Sequence, residues 1–188
     1  MMALDPRPTP PGTESIKSPF LGIFNLLSLR AFLVGKTIVG FRLDDAIRGL
    51  DWLASHRNVN RDDITVYGRG PSGMVALHAA VVDSRISRIV LENTLVSYQM
   101  IVDQPVHRNV SEVVIPAVLR AYDTGDLVQG VFPRRVSILA PQDALGKTVS
   151  ELEYRAALPH VFQSEEKLKA GRRIRFTSNL RNALRGKD

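Results

Sequence analysis

The chain has 188 residues, 44% of them hydrophobic and 23% charged, enough for one well-cored domain and too few for a second full one. It has no cysteine, which excludes disulfides, thiolate metal sites and cysteine nucleophiles while leaving the redox compartment open. The formal net charge is +6.

Residues 6 to 19 hold five prolines and one glycine and read as loop. From Phe20 an apolar helical pattern runs to about Leu33. The stretch Phe20 to Val39 is apolar, but Asn25, Arg30 and Lys36 interrupt it, so it reads as a buried or capping helix, not a membrane span. No signal peptide is visible in "MMALDPRPTPPGTES", and localisation stays open. In "RLDDAIRGLDWLASHR", Leu43, Ala46, Ile47, Leu50, Leu53 and Ala54 share one helical stripe opposite Asp44, Asp45, Arg48 and Asp51. "ITVYG" is a short β-branched strand, and a helix follows from about Ser72 to Val82.

"ISRIVLEN" is the next strand, apolar enough to be covered on both faces. Residues 95 to 130 read as helical with breaks at Pro105 and Pro116. "RRVSILAP" is a third strand, and a helix from Thr148 to about His160 follows the loop "QDALG". "RRIRFTS" reads as a fourth, terminal strand. Strands alternating with helices imply βαβ units and an open parallel sheet.

From Glu165 to Asp188 there are eight basic residues and three acidic ones, nearly the whole positive excess. Phe176 is the only aromatic there, too little to stack bases, so the segment reads as a solvated terminal strand and helix. No nucleic-acid or membrane partner is expected.

The chemistry concentrates in "ITVYGRGPSGMVALHAA", a strand, a tight glycine turn and a helix. Two readings fit it. As Gly68-x-Gly70-x-x-Gly73 it has the spacing of a flavin- or nicotinamide-binding turn, with Glu92 closing the next strand where an acid would bind a ribose hydroxyl. As an elbow it presents the residue at its apex to a substrate, and that residue is Gly70.

The lead-in "DDAIRGLDWLASHRNVNRDDITVYG" resembles the helix and strand before the nucleophile of α/β-hydrolases, nearest to acetylxylan esterase and cephalosporin deacetylase-like enzymes and the peptidase-like esterases. "VVDSRISRIVLEN" is similar to the family's next helix end and strand. "VSILAPQDALG" is similar to its acid-bearing strand and loop, and "ALDPR" to the end of a preceding strand. This resemblance spans most of residues 3 to 146 and is weak at the catalytic letters. It implies a chain that starts late in the fold, without the preceding strands and their oxyanion-hole loop, and it ranks the elbow reading above the dinucleotide one.

On that resemblance Gly70 holds the nucleophile position, supplies no oxygen and forms no acyl-enzyme. Ser72, two residues later, reads as a helix-start hydroxyl before a displaced nucleophile. Asp143 matches the position of the triad acid, and equally suits a turn residue. The family's histidine follows its last strand, where this chain has Thr177, Ser178 and Asn179. Of the histidines present, His160 alone follows Asp143, and His107 lies in "QPVHRN", a segment placed to cover the site. His56 and His78 read as surface or packing residues.

The expected fold is therefore α/β, a partial α/β-hydrolase fold with an open, mainly parallel sheet of about four strands and helices on both faces. The expected divisions are a proline-rich loop at 1–19 (the remnant of a preceding strand end), a core at 20–164 and a basic strand and helix at 165–188. The resemblance implies acyl or acetyl esters of carbohydrate-like alcohols as substrates, with no metal and no cofactor, for a chain inactive by itself. A non-catalytic binding module that uses the emptied pocket is the further alternative. An exposed sheet edge points to self-association.

Overall fold

A computed structural model describes residues 1–7, 24–108, 110–167 and 173–186. Strands β1 (Ile64–Arg69), β2 (Ile86–Glu92), β3 (Arg135–Leu139) and β4 (Ile174–Phe176) form one parallel sheet in the order β1-β2-β3-β4. A right-handed crossover between successive neighbours, always stepping the same way, sends every connecting helix to one face. That face holds the core. Ile89, Leu91, Val136, Ile138 and Ile174 of the strands meet Leu77 and Ala80 of α3 (Pro71–Val82), with Val128 of α5 (Thr124–Gly130) and Val161 of α7 (Pro159–Lys167). Among the described residues the opposite face carries one short helix, α8 (Leu180–Arg185), whose Leu180 and Ala183 pack on Val90 and Leu139. The α/β class, the four parallel strands and the helices on both faces are as the sequence predicts.

Local chemistry sets the helix boundaries. The helix α1 (Asn25–Leu33) ends near Gly35, and α2 (Ile38–Ser55) starts at Thr37, whose hydroxyl accepts from Gly40 N. Residues Gly73 to Ala80 of α3 are all buried, so this stretch is enclosed on every side, as in a central helix, and all but His78 of its side chains are apolar. Asp123 and Asp126 close a capping box on α5, and Ser150 and Glu153 another on α6 (Glu151–Ala157).

Three regions depart from the sequence expectations. Residues 95 to 130 are largely irregular: α4 (Gln99–Asp103), two single 3-10 turns at Val110–Glu112 and Val118–Arg120, then α5. Beyond the two prolines, the cause is a side-chain anchor. The Asp123 carboxylate accepts from Ser97 Oγ, from Tyr98 N at 2.7 Å and from Thr124 N at 2.6 Å, holding the chain out of helix. The single helix expected over 148–160 is two, because Pro159 lacks the N–H that would extend α6 and instead opens α7. α7 runs to Lys167 and so crosses the boundary expected at 164.

The N-terminal residues 1–7 form no strand. Met2 and Leu4 lie over Gly49 of α2, and Arg7 N donates to Asp45 at 2.9 Å, so this segment packs on a helix and not as a strand end. The rest of the expected proline-rich loop, the helix start at 20–23, and the basic residues Lys169, Arg172 and Lys187 lie outside the described residues. Among the described residues no helix is long and apolar enough to cross a membrane.

Candidate functional site

The turn between β1 and α3 is the centre of the site. Gly70 has φ +57° and ψ −127°, a conformation outside the left-handed helical well and far from any that an L-residue adopts without strain. Its N–H donates to the Glu92 carbonyl at 2.7 Å, and its carbonyl accepts from Gly73 N at 2.9 Å. The apex is thereby clamped to the end of β2 and to the first turn of α3.

The three glycines have different reasons to be glycine. A Cβ on Gly68 would collide with the Ser72 carbonyl, and one on Gly73 would collide with Thr94 Oγ1. At both positions backbone or a buried side chain already fills the space. A Cβ on Gly70 would meet nothing within 4 Å among the described residues. The apex therefore demands glycine-like dihedrals while facing open space, so any side chain placed there would be displayed and not packed.

The loops that follow β2 and β3 extend the pairing past the strand ends. Asn93 N donates to Leu139 O, Gln142 N to Thr94 O, and Val96 N to Gln142 O, at 2.9, 2.9 and 3.0 Å. Asn93 and Ala140, the residues that leave the two strands, both have positive φ, as Gly70 does after β1. At the ends of three successive strands the leaving residue thus has a positive φ, and the loops that follow place Thr94 under α3 with the Asp143 loop alongside.

Asp143 sits in that loop as a turn former. Its carboxylate accepts from Leu145 N and Lys147 N, both at 2.9 Å, and among the described residues no histidine bonds it. Arg108 N donates to Ala144 O at 2.9 Å, so the segment carrying His107 is brought to the Asp143 loop by backbone and not by the His107 ring. His160 stands on α7 against the first turn of α5, its Nε2 3.9 Å from Asp126 and its carbonyl accepting from Gln129. Its partners belong to α5 and not to Asp143.

Ser72 lies exposed on the first turn of α3, a helix with no side-chain cap at its start. The Glu92 carboxylate accepts from the Tyr67 hydroxyl at 2.5 Å and lies 3.8 Å from Arg69 Nε. Of the residues singled out in the sequence, then, Gly68, Gly70, Gly73 and Glu92 meet at one turn. Asp143 and the His107 segment meet beside each other on neighbouring loops, and His160 stands apart.

His78 is a packing residue. Its buried ring bonds Met74 O through Nδ1 at 2.7 Å and Tyr122 Oη through Nε2 at 3.1 Å. Burial holds its pKa below the ordinary histidine value. His56 is exposed, its Nδ1 on the Trp52 carbonyl at 2.8 Å.

Sequence reasoning passes over Thr94 and Asp123. Both carry their roles through partners more than twenty residues away, a signal that spacing does not contain. Among the described residues no cluster of histidine and carboxylates could hold a metal.

Neither a protein-family model nor a curated protein matches this sequence. Solved structures do resemble it. One is a protein of Bacteroides fragilis NCTC 9343 described as an acetyl xylan esterase, at 14% identity and a TM-score of 0.66, over 84% of this chain and 40% of the other. Another is a CE15 glucuronoyl esterase from Teredinibacter turnerae T7901, at 13% identity and a TM-score of 0.51, over 75% of this chain and 42% of the other. The fold is thus the α/β fold of these hydrolytic enzymes. This chain spans about two fifths of the length of each.

Proposed function

We propose that this chain is a catalytically silent form of the carboxylic-ester hydrolase fold, keeping the elbow and lacking the nucleophile. The observation that carries this reading is the apex: Gly70 at φ +57°, ψ −127°, with open space where a Cβ would stand. Acyl transfer to water on such a scaffold needs an oxygen at the apex, a base within hydrogen-bond reach and an acid to orient that base. Here the apex has no side-chain oxygen, and the carboxylate in the acid position accepts from the backbone of its own loop through Oδ1, with no histidine bonded to it among the described residues. What remains suited to the site is binding of a small acyl or acetyl ester, or of the carbohydrate-like alcohol that carries it.

A fluorophosphonate probe together with a chromogenic acetyl ester tests this. The purified chain is expected to take no label and to hydrolyse the ester at the buffer rate. Labelling that disappears in Ser72→Ala would overturn the proposal by identifying a rebuilt nucleophile.

A further inference from the structure

We propose that two copies of this chain join through β1, pairing antiparallel about a twofold axis at Val66 to make one continuous eight-stranded sheet. β1 is the sheet edge and pairs with β2 alone among the described residues. Its sequence, Ile-Thr-Val-Tyr-Gly-Arg, contains neither proline nor lysine, the residues that usually blunt an edge. A strand left open in this way templates a further strand, and the charge pattern of β1 with the residue just before it specifies which one.

Asp63 lies three residues before Val66, and Arg69 lies three residues after it. Directly opposed residues of an antiparallel pair project to the same side. A pairing centred on Val66 therefore sets Asp63 opposite Arg69 of the second copy, and the symmetry makes this contact twice. It also opposes Val66 to itself, Thr65 to Tyr67 and Ile64 to Gly68. Both charged side chains reach the surface, Asp63 at 54% exposure while it also accepts from Arg88 of β2 at 2.8 Å, and Arg69 at 67% exposure with Glu92 of β2 3.8 Å from its Nε, so each contact across the axis is shared with a partner on β2.

The neighbouring registers are worse. Centring on Thr65 opposes Arg69 to Arg61, a like-charge contact. Centring on Tyr67 leaves Arg69 opposite Thr65 and Asp63 opposite Pro71. The strand is self-complementary in one register, so the occupant that fits it is a second copy of the same chain.

Charge reversal tests the proposal on the full chain by sedimentation at tens of micromolar. The unaltered chain is expected to be a dimer. Asp63→Lys and Arg69→Glu each put like charges together twice and are expected to weaken association about tenfold or more. In an equimolar mixture of the two variants, the introduced lysine of one chain faces the introduced glutamate of the other. The unaltered Arg69 of the first chain then faces the unaltered Asp63 of the second, and the mixture is expected to recover the dimer. A folding defect in either variant would not be repaired by mixing.

As a second readout, Val66→Cys gives the only cysteine in the chain, and it is expected to form an intermolecular disulfide on mild oxidation. A monomer at these concentrations, a dimer unaffected by both single reversals, or a mixture that stays monomeric would each overturn the proposal.

Discussion

Arg42 of α2 and Glu112 of the 110–112 turn are joined by an ion pair of 2.7 Å, with side-chain exposures of only 8% and 18%. The guanidinium also lies over the Phe24 ring, 5.0 Å from its centroid, and its Nε has no partner among the described residues. Burial holds the Glu112 carboxyl above the usual carboxylate range in spite of the arginine beside it. Removing one partner of such a pair strands a buried charge, whereas removing both restores an apolar contact. Glu112→Leu is therefore expected to destabilise the fold by about 3 kcal/mol, and the double variant Arg42→Met/Glu112→Leu to regain most of that loss. Urea unfolding of Glu112→Leu, Arg42→Met and the double variant checks it.

The glycines of the elbow make a graded series. Gly68→Ala drives a Cβ into the Ser72 backbone and is expected to cost about 3 kcal/mol or more, or to prevent folding. Gly70→Ala meets no atom among the described residues and bears the strain of its dihedrals, on the order of 1–2 kcal/mol. Thermal melts of the two variants measure the difference. Equal losses would contradict the open apex.

His78 confers a pH dependence of definite sign. Its folded pKa lies below the unfolded value, so the unfolded chain binds the proton more readily. The stability associated with the neutral ring is present above the unfolded pKa and is lost as pH falls from there toward the folded value. Between about pH 7 and pH 5 the melting temperature is expected to fall, with a slope no steeper than about 1.4 kcal/mol per pH unit from this one group. His78→Gln keeps a donor and an acceptor, and its profile is expected to be flatter over the same window.

Flavin and nicotinamide cofactors are expected to produce no thermal shift. The side chain that would hold a ribose hydroxyl, Glu92, is engaged by Tyr67 and lies near Arg69 on β1. A micromolar affinity for FAD or NAD that Gly70→Val abolished would restore the dinucleotide reading of the turn.

The strands are legible in the sequence because β-branched runs end at glycine or polar turns, and the start of α3, expected at about Ser72 and found at Pro71, because a glycine turn precedes it. Gly68, Gly70 and Gly73 are legible as a turn but not as three different positions. Spacing carries no dihedral angle, and it does not show that Thr94 closes off the space at Gly73 while none of the described residues does so at Gly70. The region from 95 to 130 misleads for a related reason. Its composition suits helix, but Asp123 gathers Ser97 and Tyr98 across about twenty-five residues, and that anchor outweighs local propensity.

The strand order has a consequence for how the chain is made. Each of the described strands after β1 joins the one synthesised just before it, so during translation the sheet grows by addition at its newest edge. None of them waits for a distant segment to emerge, and each closure spans only one crossover, which keeps the entropic cost of this parallel sheet low. The earliest of the four, β1, gains its one partner among them at the first of these steps.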